Sequence, residues 1–421
     1  MFNFNDYDCI GFDLDNTVCE YKEPELIQLV YDILSNYLVT VKNYDPEIIR
    51  PLDVDFLRKG LTLDLEKGNI LDLGDDGTIL TACHGTKPLT DTEIVSIYGE
   101  NKQWNLASHH CKNFLATWNG ELSEKIRSSI DYFDVAVPLL FGRVIDSLDK
   151  KENSRESYNV WPDILSGLFY MFLKEHFPED KGEYYPALKY NPDKYIRKCS
   201  SKLIEWLKQM KNAGKVTFLI TGSNSQYGAF VAESALGQDW EKYFDIIIYF
   251  ARKPGFFVQK RPFCASDSED NEIPISDLKC PGSYSQGNWS DLFDLLAKTT
   301  GKNDPKCVYV GDNLIQDVYT PSLFKDCDTV AVVKELAAEC DNKDELFVSK
   351  RWGSFFYSKQ DEKFTIWGTV IRKHAKICVP DLTWFSNKPF DTQYPEFQPC
   401  DEKDNLRNLQ GFQEFIPECF L

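Results

Sequence analysis

Cys9-Ile10-Gly11-Phe12-Asp13-Leu14-Asp15-Asn16-Thr17 is the stretch that decides the fold. A short apolar run is followed at once by two carboxylates spaced two residues apart. In extended backbone, such a pair lies on the same side of the chain. If the run is a buried parallel strand, Asp13 and Asp15 emerge together at its carboxyl end, where open α/β sheets place their ligands. The pair can then divide the labour of phosphoryl transfer. One carboxylate attacks phosphorus, while the other protonates the leaving oxygen and later takes a proton from water.

Three later apolar runs end in the same way. Val216-Thr217-Phe218-Leu219-Ile220 stops at Thr221-Gly222-Ser223, the run Phe244 to Phe250 stops at Arg252-Lys253-Pro254, and Cys307-Val308-Tyr309-Val310 stops at Gly311-Asp312-Asn313. A further run covers Thr329 to Val333. Helix-separated apolar strands of this kind predict a doubly wound, Rossmann-like parallel sheet covered on both faces. All its carboxyl ends share one edge, so Asp13, Asp15, Thr221, Lys253 and Asp312 are expected to converge, with Asp317 a turn beyond. Their chemical types are complementary. Asp13, the backbone carbonyl of Asp15 and Asp312 are hard oxygen ligands suited to Mg²⁺. Thr221 and the Gly222 N–H can bind phosphoryl oxygens, and Lys253 supplies fixed positive charge. Asp317 is a supporting candidate, for a metal-bound water or for holding the loop.

Between the first and second of these strand ends lies a large insertion. Pro24 opens an i, i+3, i+4 apolar stripe from Leu26 to Val41, which predicts an amphipathic helix. Short apolar runs between 60 and 83, divided by Gly-containing turns, predict an antiparallel meander. Residues from about 90 to 200 read as mostly helical and aromatic-rich. A helix is expected to carry Ile196, Leu203, Ile204, Leu207 and Met210, ending at Gly214. The stretch 265–290 reads as a surface excursion. The expected organisation is a split catalytic core (1–22 and 193–385), an inserted cap (23–192) and a polar tail (386–421).

The 421 residues carry a formal charge of −19, which disfavours nucleic acid and anionic membrane as partners. The same charge repels an anionic substrate, so a phosphate site needs a metal ion and a well-placed cation. Thirteen cysteines with no C-x-x-C pair fit reduced thiols in the cytoplasm better than a disulfide framework. The acidic start of the chain reads as no signal peptide, and no apolar run is long enough to span a membrane. A homo-oligomer is left open.

The assembled motifs resemble the haloacid dehalogenase superfamily, at Asp13-Leu14-Asp15-Asn16-Thr17, Leu219-Ile220-Thr221-Gly222-Ser223, Lys253 and Gly311-Asp312-Asn313-Leu314-Ile315-Gln316-Asp317. More narrowly, the chain is similar to the cytosolic purine 5′-nucleotidase family and its domain-containing branch. The resembling segments are Ala251-Arg252-Lys253-Pro254-Gly255-Phe256-Phe257, Lys59 to Leu71, Cys83-His84-Gly85-Thr86 and Tyr284-Ser285-Gln286-Gly287-Asn288. The resemblance implies a Rossmann-like core, a cap inserted between the first two motifs, and Mg²⁺-dependent attack by Asp13 to form an aspartyl-phosphate. Asp15 would then serve as acid and base.

The leading expectation is therefore a Mg²⁺-dependent phosphomonoester hydrolase of the 5′-nucleotidase type, acting on a nucleoside monophosphate. A phosphatase of another monoester, a nucleoside phosphotransferase and a catalytically silent binding protein remain alternatives. Arg143 is the candidate for reading the substrate from the cap, against a surface arginine near a helix. His84 is expected to pack against the meander, and His109-His110 to be exposed.

Overall fold

The computed structural model describes residues 1–118, 120–152, 157–266, 272–324, 327–341, 346–398 and 410–412. The chain forms two compact units. One contains Met1–Lys22, Asn191–Leu336 and the described chain from Val370 onward; the other contains Glu23–Tyr190 and Ala337–Thr369.

The first unit is built on a nine-stranded sheet. Cys9–Phe12 lies at its centre, parallel to Val216–Ile220 on one side and Cys307–Gly311 on the other. Ile246–Tyr249 and Gly282–Gln286 extend it beyond the second strand, and Cys327–Val332 and Ile377–Val379 extend it beyond the third, all parallel. The strand residues of Cys9–Phe12, Val216–Ile220 and Cys307–Gly311 are all buried, which explains their unbroken apolar character. Gly11 is required by packing: a Cβ there would sit 2.0 Å from the Phe218 ring.

Helices connect the strands, and their sequences mark their ends. Ser200 caps Ser201–Asn212 by accepting from Leu203 N, and Leu203, Trp206, Leu207 and Met210 form its buried face. Ile196, expected within this helix, lies before it in an extended segment bridged to Tyr21, because Ser200 starts a new helix after the short turn Pro192–Tyr195. Asn224 and Asn288 cap Ser225–Leu236 and Trp289–Thr300 in the same way.

The stretch read as a surface excursion instead completes the sheet. Phe263–Ser266 and Glu272–Ile275 pair antiparallel at the edge, next to Gly282–Gln286. Phe263 and Tyr284 are the anchor, both buried with ring centroids 5.7 Å apart. Polar residues on the remaining face hide this strand character from the sequence. Part of the tail also joins this unit: Tyr394 is buried and exchanges backbone hydrogen bonds with Phe2. Most of 399–421 lies outside the described residues.

The second unit carries a five-stranded antiparallel sheet. Leu61–Asp64, Asn69–Leu73 and Ile79–His84 form the meander, and Lys87–Pro88 and Ile126–Ser129 pair at its two edges. Ile126–Ser129 is thus a strand within a region read as mostly helical. Helix Glu23–Thr40 buries Leu26, Ile27, Val30, Tyr31, Ile33, Leu34 and Leu38. The late segment Ala337–Thr369 belongs to this unit through two tryptophans. Trp352 Nε1 donates to Phe56 O at 3.0 Å, and Trp367 Nε1 to Gly60 O at 2.8 Å. Gly60, at φ 89°, leaves room for the Trp367 ring.

Candidate active site

The register of the central strands brings the predicted residues to one edge. Phe12 is aligned with Leu219 and with Val310, so Asp13, Thr221 and Asp312 leave the sheet within one residue of the same level. The ladder continues past the strand ends: Asp13 N donates to Val310 O and Thr221 N to Ile248 O, each at 2.9 Å. Asn16 turns the chain back with φ 58°, a left-handed conformation that asparagine tolerates well.

Lys253 is the hub. Its Nζ donates to Asp13 Oδ1 and Asp317 Oδ1, both at 2.6 Å, and to the Tyr309 hydroxyl at 3.2 Å. Tyr309 in turn donates to Ile220 O at 3.0 Å, which ties the lysine to the sheet. Asp317 reaches the centre because Gly311 has no side chain; a Cβ there would lie 2.4 Å from Asp317 Cβ. Asn313 N donates to the other Asp317 oxygen at 3.1 Å, fixing the turn Leu314–Tyr319. Asp312 accepts from Thr17 Oγ1 at 3.4 Å.

Asp13, Asp312 and Asp317 are all buried, and each offers an oxygen within 4.8 Å of the others. Burial pushes the Asp13 carboxyl well above its ordinary range; Lys253 pulls it down, and Asp317, Asp312 and Asp15 push it further up. Burial also disfavours charge on Lys253, but Asp13 and Asp317 outweigh it and hold the ammonium well above its ordinary value. The charged form of the lysine is thus favoured, and this one ammonium faces two carboxylates with Asp312 beside them. A buried cluster of carboxylate oxygens fits a hard divalent cation such as Mg²⁺.

Asp15 points into a different environment. Its carboxylate accepts from Tyr21 OH at 2.6 Å, from Ser223 Oγ at 2.8 Å and from Thr221 Oγ1 at 3.2 Å. Tyr21 OH also meets Tyr227 OH at 3.0 Å. Thr221, expected to face a phosphoryl group, thus donates to Asp15 and accepts from Ser223 N at 3.0 Å. Beside Gly222 there is open space, with no atom within 4 Å of the place a Cβ would take. Sequence reasoning missed Tyr21, Tyr227 and Tyr309. Ser223 carried a faint signal, being two residues past Thr221 on the same loop.

Arg143 is placed in the second unit and is buried there. Its guanidinium donates to the Tyr31 hydroxyl, to Arg50 O at 3.0 Å and to Pro51 O at 2.7 Å. These contacts anchor the loop after helix Glu23–Thr40. His84 binds Asn69 at 2.8 Å and Asp149 at 3.0 Å, within the meander unit. His110, expected at the surface, is buried between Thr117 Oγ1 at 2.6 Å and Ser128 Oγ at 2.9 Å, because the strand Ile126–Ser129 covers it. His109 is exposed. No helix among the described residues is long and apolar enough to cross a membrane.

Comparison with known proteins agrees with this construction. The profile of the 5′ nucleotidase family matches residues 1–347. The chain is 35% identical to 5′-nucleotidase domain-containing protein 1 of Bos taurus and 34% identical to that of Homo sapiens, over 94% of this chain and 93% of each relative. It is 27% identical to 5′-nucleotidase domain-containing protein 2 of Rattus norvegicus, over 80% of this chain and 58% of that relative. With an acid cluster at the carboxyl edge of its sheet and kinship along nearly its whole length, the chain belongs to the 5′ nucleotidase family and is an enzyme of the phosphatase type.

Proposed function

We propose that this protein hydrolyses nucleoside 5′-monophosphates in the cytoplasm, with Mg²⁺, through an aspartyl-phosphate on Asp13. The observation that carries the reading is the buried contact of Lys253 with Asp13 and Asp317 at the sheet edge, beside Asp312. Asp13 would attack phosphorus, forming a phosphorus–oxygen bond as the ester bond breaks. Lys253 would hold a phosphoryl oxygen in place and stabilise its growing charge. Asp15, steadied by Tyr21 and Ser223, would give its proton to the leaving alkoxide. It would then take a proton from the water that cleaves the acyl phosphate. The Gly222 N–H, beside open space, would bind a second phosphoryl oxygen, and the Thr221 hydroxyl would turn from Asp15 to assist it.

Asp13, Asp312 and the backbone carbonyl of Asp15 would hold Mg²⁺, with Asp317 supporting. The ion would supply charge neutralisation that lets the dianionic substrate approach a protein of charge −19. The family name supports a nucleotide as substrate. The sheet-edge residues specify phosphoryl transfer and leave the choice of leaving group to other parts of the chain.

The test is phosphate release from p-nitrophenyl phosphate with Mg²⁺ and with a chelator, using Asp13→Asn as control. Wild type is expected to need Mg²⁺, and Asp13→Asn to lose about 10⁴-fold or more in rate. Equal release by the two proteins would remove the enzymatic reading. A panel of purine and pyrimidine monophosphates against sugar phosphates then tests the substrate class; faster hydrolysis of the sugar phosphates would remove the nucleotidase reading.

A further inference from the structure

The Cys199 thiol lies against the chain just after the Asp13–Thr17 turn, at the residue before Cys19, and the mechanism uses neither thiol. The chain leaving that turn runs through Cys19 to Lys22, and the segment Tyr195–Cys199 returns beside it. Lys22 N donates to Tyr195 O at 2.8 Å, Arg197 N donates to Glu20 O at 2.9 Å, and Tyr21 and Ile196 form an antiparallel bridge. Cys199 Sγ donates to Val18 O at 3.3 Å, which places that thiol beside the residue preceding Cys19, and after burial Cys199 is the neighbour that most raises the Cys19 thiol. Cys19 is fully buried, whereas Cys199 is partly exposed at the start of the helix capped by Ser200.

Cys19 is also locked to the catalytic turn. Its N–H donates to Leu14 O and its carbonyl accepts from Asn16 N, each at 2.8 Å. Any force on Cys19 is therefore transmitted to the residues on both sides of Asp15. Two cysteines 180 positions apart in sequence lie on segments that run side by side, one leaving the first unit at Lys22 and the other entering it at Asn191.

We propose that Cys19 and Cys199 are a modification site, forming a reversible disulfide under a peroxide-class oxidant and thereby distorting the catalytic turn. Cys199 reacts first, since it is the more accessible partner, and burial holds the Cys19 thiol protonated well above its ordinary range. The Cys199 sulfur attacks one peroxide oxygen and the O–O bond breaks, giving a sulfenic acid and water. The Cys19 sulfur then attacks the Cys199 sulfur; the S–O bond breaks, and hydroxide leaves with the Cys19 proton as a second water. One hydrogen peroxide is reduced, and two thiols are oxidised.

The inhibitory consequence rests on the phosphatase reading, whereas the bond itself does not. The full-length protein is reduced, treated with hydrogen peroxide, alkylated under denaturing conditions and digested. A Cys19 peptide joined to the Cys199 peptide is expected, lost on treatment with dithiothreitol. In Cys199→Ser, Cys19 should remain alkylatable. Phosphate release by oxidised wild type should fall at least about tenfold, the scale of a displaced catalytic group, and return with dithiothreitol, while Cys199→Ser keeps its rate in peroxide. Full alkylation of Cys19 after peroxide, or its linkage to another cysteine, would overturn the proposal. A linked pair with unchanged turnover would overturn the inhibitory part. A linked pair in a protein with no turnover under any condition would instead count against the phosphatase reading.

Discussion

The two units each bury a group of carboxylates, and they do so to opposite ends. In the meander unit Asp64, Asp72 and Asp149 are separated from one another by neutral or cationic partners. Asp64 accepts from Tyr98 OH, which accepts from Asn69 Nδ2, both at 2.8 Å. Asn69 Oδ1 meets His84, His84 meets Asp149, and Asp149 accepts from Tyr158 OH at 2.6 Å. Asp72 is paired with Arg58 at 2.7 Å. In the unit built on the nine-stranded sheet, Asp13, Asp312 and Asp317 instead face one another across a single lysine. Burial and acidity are thus common to both regions and do not mark a site. Carboxylates turned toward each other do, because crowding like charges in low dielectric is unfavourable unless a ligand relieves it.

The largest expected difference comes from removing the cation of each region. Lys253→Met should lower the rate of phosphate release by about 10³-fold, the scale of losing a group that stabilises transition-state charge. It should also make the melting temperature rise with Mg²⁺ more steeply than in wild type, since Asp13 and Asp317 lose their partner. A rate within tenfold of wild type would make Lys253 a structural counterion and would erase the contrast.

Acid should expose the meander unit next. His110 is fully buried, and burial, with Arg127 adding to it, pushes its imidazole down to about 3. Unfolded, it would take a proton near the ordinary value of about 6.5. The unfolded chain therefore binds more protons between these values. The contribution of neutral His110 is fully present above pH 6.5 and is lost as pH falls toward 3, by up to roughly 4–5 kcal/mol. Melting curves across this range should slope less steeply for His110→Phe than for wild type. Identical slopes would show that the buried imidazole is not what makes this region acid-sensitive.

These contrasts also explain what the sequence could disclose. Strands buried on both faces must be apolar throughout, so the runs ending at Phe12, Ile220 and Val310 were visible, as were the polar residues forced out at their ends. Gly282–Gln286 was hidden because it borders the sheet edge and keeps Ser283 exposed. Ile126–Ser129 was hidden because its Ser128 and Ser129 are buried polar residues, with Ser128 satisfied by Thr62 at 2.8 Å. The allegiance of Ala337–Thr369 rests on two indole N–H groups finding carbonyls about 300 positions earlier, which no local pattern encodes. The same holds within the site: Asp13, Lys253 and Thr221 were legible by type and position, but nothing local marks the Tyr21 hydroxyl as a partner of Asp15.

Removing the meander's cation is a milder insult than removing Lys253. Arg58→Met leaves Asp72 buried without its ion pair, and burial already raises the Asp72 carboxyl. A loss of about 3 kcal/mol in unfolding free energy is expected, at the lower end for breaking a buried pair, because the carboxyl can protonate. Chemical denaturation should show the loss shrinking as pH is lowered toward 4. A loss that does not depend on pH would mean that the hydrogen bond to Trp352 O, not the ion pair, is what Arg58 contributes.

The smallest effect is the most specific to the proposed mechanism. Tyr21 is wholly buried, and its hydroxyl both holds Asp15 and meets Tyr227. In Tyr21→Phe the ring still fills its place, so the change removes the hydroxyl with its hydrogen bonds to Asp15 and Tyr227 and little else; the bond to Asp15 is worth about 1 kcal/mol, or roughly fivefold in rate. If Asp15 is the acid and base, that loss should fall on kcat with KM nearly unchanged, and more heavily for a poor leaving group, which needs its proton, than for p-nitrophenolate, which does not. Ser223→Ala, at the other Asp15 oxygen, should show the same leaving-group dependence, and the double variant should lose less than the product of the two if both act by orienting one carboxylate. Equal loss with both leaving groups would mean that the hydroxyls hold the turn in shape and do not orient a proton donor. The contrast between the two units would then rest on the Asp13–Lys253–Asp317 cluster alone.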